Sequence, residues 1–466
     1  MKMEGKQSKY DLYYEQTRDT ELGKRETLSF IGGGVGNSLL YGVVTVFLMI
    51  YSTDVFGLPA LAVGTIFFIS RFTDAITDPL AGIIVDRTRT AQGKFRPYLI
   101  RSSILWVILT ILLFNGPNFS VTGKFVYMLV IYLLWGLAFT FFDIPYWSFS
   151  TVLTQDEQKK SRLVSIARSS TLIGMVVLMT VGGPIVALIE RFAPARGYSN
   201  LAIIVGVLAL FLMQIMSFTC KERIKSKSEN LTVKETIKQT LTYLKINRPL
   251  QLTLLTAIIG IGMPMAQGFA IYFVVNNLGS IAYMTYISLP SLFIIPLMPM
   301  IVPFLLKRFE RKQVFFVSSL AQVSTLLILF FVGYNSLPFV FIMNGLSRLF
   351  NVTNAVMIPM LITDAIDFGE WKTGNRFEAI SFSLQSFTSK TQSAINGLLI
   401  GVFLTIIQYD ATLPMQTPET LRGIFMCFTL IPAFVTLLAI IPLLFHRFSG
   451  KAREEVMEEL KEMRKA

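Results

Sequence analysis

Residues 67–86 read FFISRFTDAITDPLAGIIVD. They lie inside a run, 59–84, that is apolar and long enough to cross a bilayer, which takes about 20 residues. The run nevertheless carries Arg71, Asp74 and Asp78. A charge at bilayer depth costs roughly 2.5–3.5 kcal/mol on insertion scales, so such residues mark function by default. Spacings of three and four residues put all three on one face of a helix. Two carboxylates a turn apart repel when both are ionised, so one takes a proton unless a cation neutralises the pair. Such a pair holds either a proton or a small hard cation among oxygen ligands. The plainer reading is an internal ion-pair cluster with Arg71, although one guanidinium does not fully satisfy two carboxylates.

The composition extends this reading to the whole chain. Of 466 residues, 53 % are hydrophobic and 15 % charged, with a mean hydropathy of +0.58. Soluble domains carry about 25 % charge. A soluble multi-domain enzyme, a disordered chain and a fibre are excluded. An all-α polytopic membrane protein remains. Twelve spans are expected, at 28–51, 59–84, 97–115, 124–149, 164–189, 199–219, 249–275, 279–305, 312–333, 336–362, 379–408 and 422–446. The first 28 residues are polar and charged, so no cleavable leader is expected. Cys220 and Cys427 are too few for a disulfide framework or a cysteine metal site, and the single His446 removes histidine triads, zinc and haem ligation. No nucleophile–base constellation is present, so the chain is not expected to be an enzyme.

The charges orient the spans. Basic residues crowd the N-terminal tail, the loop at 86–98 (DRTRTAQGKFRPY), Lys159, Lys160 and Arg162, the central stretch 220–248, and the loop at 306–313 (LKRFERKQ). The opposite loops hold only Lys124, Arg191, Arg196 and Arg422. The net charge of +13 is thus orientation signal, not a nucleic-acid surface. Both termini are expected in the cytoplasm of an inner (plasma) membrane protein. The expected organisation is a cytoplasmic tail (1–27), a six-helix half (28–219), a central loop (220–248), a second six-helix half (249–446) and a cytoplasmic tail (447–466). Two halves with matching basic loops point to an internal duplication of the kind secondary transporters use.

Other spans also carry charge. The fourth reads LLWGLAFTFFDIPYWSFS and places Asp143 between Phe139 and Trp147, one turn to either side, with Thr140 one turn before it. An acid framed by aromatic rings suits a sugar, carboxylate to hydroxyl and ring to sugar face. Tyr146 and Trp147 also fit an aromatic belt at the membrane interface. The fifth span carries Arg168, and the eleventh carries Lys390 in a polar setting of Gln385, Ser386 and Ser389. Asp74, Asp78 and Asp143 then balance Arg71, Arg168 and Lys390. Arg348 is a further base of unassigned depth. The stretch LITDAIDFGEWKTGNRFEAIS, 361–381, joins the tenth and eleventh spans and brings Asp364, Asp367 and Arg376 to the cytoplasmic side. It reads either as solvated charge or as salt bridges to loop residues such as Lys160, broken and remade in a transport cycle.

RFTDAITDP, DRTRTAQGKFRP, FDIPYWS and DAIDFGEWKTGNR together resemble the glycoside–pentoside–hexuronide:cation symporters of the major facilitator superfamily, which include the melibiose carriers. The resemblance runs from about residue 27 to 446. It implies a major-facilitator-type fold of twelve transmembrane helices in two six-helix halves, with a central cavity that alternates between faces. It implies no cofactor beyond a coupling ion, Na⁺ or H⁺. By the family's pattern Asp74, Thr77, Asp78 and Thr140 fall at the cation ligands. Asp143, Trp147, Arg168, Gln385, Ser386 and Lys390 fall at the substrate site and its charge network. Asn37 and Ser38 stand where melibiose carriers have a Lys-Asp pair, with Tyr41 one turn on, and Phe139 completes the expected pocket. Thr77 replaces an Asn, and Ala355 replaces a tryptophan. The change at Thr77 opens H⁺ coupling beside Na⁺; those at Asn37, Ser38 and Ala355 turn the expectation away from an α-galactoside, and the retained Asp143 turns it from an anionic uronide to a neutral pentoside or glucoside. The competing readings are an exporter or lysolipid carrier of the same superfamily, and a transporter-like solute sensor.

Overall fold

A computed structural model describes residues 9–17, 20–154, 157–224, 240, 242–260, 262–374 and 377–463. Among them regular structure is helical, with no β-strand. The chain divides into two compact units, Met1–Glu229 and Asn230–Ala466.

The first unit starts with a short helix, α1 (Lys9–Thr17), followed by six long ones. These are α2 (Lys24–Ile50), α3 (Ala60–Arg87), α4 (Arg96–Leu113), α5 (Val121–Val152), α6 (Glu157–Phe192) and α7 (Gly197–Thr219). α2 packs against α6 and α7, α3 against α5, and α4 against α5 and α7. Small residues allow close approach where hydrocarbon supplies no hydrophobic drive between helices. At Gly36 an added Cβ would lie 2.9 Å from the Ala209 carbonyl of α7. Pro145 lies inside α5 and has no N–H for the Phe141 carbonyl. The Ser102 hydroxyl of α4 donates to that carbonyl at 3.2 Å, so the break in the backbone ladder is repaired from a neighbouring helix.

The second unit holds α8 (Arg248–Ile259), α9 (Gly262–Tyr272), α10 (Met284–Leu306), α11 (Arg311–Val332), α12 (Leu337–Thr373), α13 (Glu378–Ile406), α14 (Pro418–Phe428), α15 (Leu430–Leu444) and α16 (Lys451–Met463). The expected seventh span is α8 with α9, and the twelfth is α14 with α15, each broken near its middle. Ten helical segments among the described residues are long and apolar enough to cross a membrane. α3, with 28 residues, and α13, with 29, have spanning length as well.

The two units repeat one plan. In the first, the helix pairs 2–4, 3–4, 3–6, 1–5 and 1–6 of the six spans are in contact, and the same pairs recur in the second. The first span of each unit also ends in a π-turn, Tyr51–Val55 and Phe273–Asn277. Each π-turn is followed by a glycine in the left-handed region, Gly57 at φ 75° and Gly279 at φ 79°. An extra residue in a helical turn, repeated at one place in both units, is a structural trace of duplication.

Three expectations need correction. α2 begins at Lys24, and the tail before it carries α1. The central stretch does not begin as a free loop, because Glu222 and Arg223 are buried in the first unit. The Glu222 carboxylate accepts the backbone N–H groups of Lys94 (3.0 Å), Phe95 (2.8 Å) and Arg96 (3.2 Å) and the Tyr14 hydroxyl (2.5 Å). Finally, the acidic stretch after the tenth span is not a connecting loop, since α12 continues to Thr373 and carries Asp364 and Asp367 on its last turns. Beyond the apolar length a helix still satisfies its own backbone, and an ion pair holds this end in place.

Candidate functional site

α3 and α5 assemble the first centre. The Arg71 guanidinium pairs with Asp74 at 3.0 Å and donates to the Tyr132 hydroxyl at 3.2 Å. It also lies 5.8 Å from the Tyr41 ring centre and 5.9 Å from that of Tyr132. Aromatic faces and one carboxylate thus hold the cation away from lipid. Asp74 is 6 % exposed and sits against α5 at Gly136, where an added Cβ would be 2.9 Å from its Oδ1. One turn on, Asp78 accepts a hydrogen bond of 2.7 Å from the Thr140 hydroxyl of α5. The Thr77 hydroxyl oxygen is buried and makes no hydrogen bond. Asp74, Thr77, Asp78 and Thr140 therefore bring two carboxylates and two hydroxyls to neighbouring turns of two packed helices.

α2 and α5 assemble the second centre. Asp143 Oδ1 accepts from the Asn37 amide at 3.2 Å and from the Trp147 indole N–H at 3.1 Å. Thr140 and Asp143 are one turn apart on α5, so the two centres share one rigid element. Phe139 packs between Tyr41 (4.9 Å between ring centres) and Trp106 (5.2 Å). Tyr41 and Phe139 thus form part of an aromatic wall that continues through Trp135. Ser38 does not join the set, because its hydroxyl is bonded to the Gly34 and Val35 carbonyls of its own helix. Trp147 meets Tyr146 edge-on at 5.3 Å, and its indole N–H is tied to Asp143. Arg168 is on α6, and its side chain lies outside the described residues.

The second unit carries Gln385, Ser386 and Lys390 on α13. Gln385 lines a cavity of about 300 Å³, whereas Ser386 is exposed and does not line it. Lys390 is half-buried. Arg348 is 6 % exposed on α12, and its Nε makes no hydrogen bond. Asp364 accepts from Arg311 at 2.6 Å and from Arg453 of α16 at 2.7 Å. These partners come from its own unit, and the Lys160 side chain lies outside the described residues. Asp367 is buried beside it on α12, and Arg376 lies outside the described residues.

Residues 29–449 match the family described as MFS/sugar transport protein. The chain belongs to that family. Relatives cover nearly its whole length. A Bacillus subtilis protein named uncharacterized symporter YjmB is 30 % identical over 452 residues, 95 % of this chain and 96 % of its own. The isoprimeverose transporter of Lactiplantibacillus pentosus is 29 % identical over 416 residues, 88 % of this chain and 86 % of its own. Among solved structures, a bacterial homologue of the human lysosomal transporter Spinster superposes with a TM-score of 0.68 at 13 % identity, covering 91 % of this chain and 97 % of that one. This last likeness bears on the fold alone. The resemblance to glycoside–pentoside–hexuronide:cation symporters holds, and the chain is a multi-pass membrane transporter of the sugar-transport type, not an enzyme.

Within this MFS/sugar transport protein, sequence reading missed Tyr132 and Gly136. Both were within reach of it: Tyr132, Gly136 and Thr140 recur every four residues and mark the α5 face that meets α3. The role of Glu222 had no local signal, because its donors are more than a hundred residues away.

Proposed function

We propose that the protein is a secondary active transporter that couples entry of Na⁺ or H⁺ to uptake of a neutral glycoside or pentoside by alternating access. The observation that carries this is the pair of acid centres joined through α5, Asp78 on Thr140 and Asp143 on Asn37 and Trp147. A cation at Asp74 and Asp78 neutralises the surplus carboxylate and competes for the Thr140 hydroxyl. Movement there is transmitted along one turn of α5 to the acid that faces sugar. If the cation raises sugar affinity, sugar raises cation affinity by the same factor. One positive charge moving down a 100 mV potential adds about 2.3 kcal/mol to uphill uptake.

Asp143 accepts hydrogen bonds from sugar hydroxyls, and Trp147 offers a ring to the sugar face. A fixed carboxylate repels an anionic substrate, which favours a neutral one. The relatives' names support the sugar class. The basic loops support a plasma (inner) membrane location with both termini cytoplasmic. The partners are the sugar, a monovalent cation and the bilayer.

The test is counterflow in proteoliposomes with a panel of pentosides and glucosides, with and without Na⁺ and at several pH values. Stimulation by one cation, and uphill uptake driven by its gradient, are expected. Flux that no cation gradient changes would overturn coupling, and absence of flux for every sugar would overturn the substrate class.

A further inference from the structure

We infer that a cavity beneath the C-terminal helix α16 is a binding site for a zwitterionic phospholipid with a primary-amine head group, of the phosphatidylethanolamine class. The site is independent of the sugar and of the coupling ion. It lies wholly within the second unit, at the end where α8 begins and α15 ends. Its volume is about 670 Å³, inside the roughly 300–1,000 Å³ range of small-molecule sites. Under the transport reading the basic loops put this end at the cytoplasmic face, at the depth of lipid head groups.

The cavity is built by tertiary packing. The start of α8, the end of α12, the link between α15 and α16, and α16 itself wall it. α16 is amphipathic and docked: its Val456 and Leu460 are buried in one cluster with Phe448, against Phe368 and Trp371. Its Arg453 reaches Asp364 of α12 at 2.7 Å. Phe368 meets Phe448 at 5.1 Å and Trp371 at 5.7 Å between ring centres, which fixes the aromatic part of the wall.

The charges in the wall are of both signs. Arg248, Arg447, Glu455 and Glu459 all line the cavity. Glu459 accepts the Trp371 indole N–H at 2.6 Å. Arg248, Arg447 and Glu455 are exposed, and among the described residues they make no hydrogen bond or ion pair. Guanidinium groups suit a phosphate, which they meet with paired N–H donors. Carboxylates suit an ammonium, which brings three donors and no acceptor. A lipid with a net negative charge satisfies the arginines and leaves the two acids facing further negative charge. A choline head group has no N–H to give them. A phosphate joined to a primary amine answers all four side chains.

The apolar part of the wall accounts for the rest of the molecule. Leu252 of α8 and Phe445 of α15 line the cavity. Leu255 and Ile441, about one turn deeper on the same helix faces, are 45 % and 46 % exposed. α8 and α15 pack against each other, so an apolar stripe leads from the head-group cavity towards hydrocarbon. Acyl chains cover that stripe, whereas a soluble phosphate ester leaves it bare.

Native mass spectrometry of the full chain in detergent tests this, with dioleoyl phosphatidylethanolamine, phosphatidylcholine and phosphatidylglycerol titrated in turn. The ethanolamine lipid is expected to bind about tenfold more tightly than the other two, the worth of a hydrogen bond to a charged group. Arg248→Gln with Arg447→Gln is expected to weaken all three lipids by about tenfold. Glu455→Gln with Glu459→Gln is expected to remove the preference for ethanolamine and leave the choline lipid unchanged. Ala452→Trp, at an exposed position in the wall, fills the cavity with every charge in place and is expected to abolish binding of each lipid. Equal binding of the three lipids by the unmodified chain, or a preference that survives these variants, overturns the inference. Glycerophosphoethanolamine, which has the head group without the chains, is expected not to displace the lipid at equal concentration. Displacement would assign the cavity to a soluble phosphate ester and overturn the lipid.

Discussion

The Thr140 hydroxyl of α5 donates to Asp78 Oδ1 of α3 at 2.7 Å, one helical turn before the acid that Asn37 and Trp147 hold. A coupling cation arriving at Asp78 meets this bond first. Thr140→Val keeps the shape and removes the oxygen. A lost bond to a charged group is worth about 1.5–3 kcal/mol. Thr140→Val is expected to raise the cation concentration for half-maximal counterflow by about tenfold or more, with sugar counterflow retained at saturating cation. Asp78→Cys is expected to abolish uphill accumulation; persistent accumulation would remove Asp78 from the coupling role.

At Asp143 two different donors converge on one oxygen. Trp147→Phe keeps a ring and deletes the N–H, so sugar affinity is expected to fall by roughly tenfold, about 1.4 kcal/mol. Asp143→Asn exchanges an acceptor-only group for a mixed one and is expected to cost far more. Calorimetric titration of the purified protein with its best sugar measures both. No loss in Trp147→Phe would show that the indole acts through packing alone.

Gly136 is where α5 yields to Asp74. A Cβ there would stand 2.9 Å from the carboxylate oxygen, and α3 cannot retreat from α5 without stretching the Arg71–Tyr132 and Thr140–Asp78 hydrogen bonds. Gly136→Ala is expected to give a protein that still inserts and purifies as a single species. Its cation-stimulated transport should be reduced by about tenfold or more, in line with a one- to three-kcal/mol overpacking cost. Unchanged cation stimulation would mean that Asp74 has room to move without functional consequence.

Glu222 anchors the basic loop from outside the membrane. Removing its carboxylate leaves three backbone N–H groups without an acceptor, and each unmet buried group costs about 1–3 kcal/mol. Burial and the adjacent Glu222 carboxylate hold the Tyr14 hydroxyl well above the usual tyrosine range, so it stays a neutral donor at physiological pH. Glu222→Ala is therefore expected to lower the unfolding temperature in detergent by several degrees. Tyr14→Phe should lower it less, and a shift in Tyr14→Phe as large as in Glu222→Ala would contradict this assignment.

Much of this was legible along the chain. Twelve apolar runs follow from the cost of exposing backbone and charge to hydrocarbon, which acts on every residue alike and leaves a local signature. The acid face of α3 follows from helical spacing, and the acid between two aromatics on α5 from the same rule. Where α12 ends was not legible, because polar residues beyond the membrane carry no hydropathy signal and Arg311 and Arg453 hold Asp364 from distant parts of the chain. Ser38 and Tyr41 looked alike as wall residues, yet one hydroxyl bonds its own helix and the other ring joins an aromatic stack.

The sequence by itself determined that this is a helical membrane protein, which residues carry charge inside it, and the family to which it belongs. Those properties depend on composition and on neighbours within one or two helical turns. Tertiary structure alone decided which oxygen meets which across helices: Thr140 with Asp78, Asn37 with Asp143, and the three loop amides with Glu222. A hydrogen bond is satisfied over about 3 Å between groups that the chain separates by tens to hundreds of residues, and only helix packing brings them within that distance.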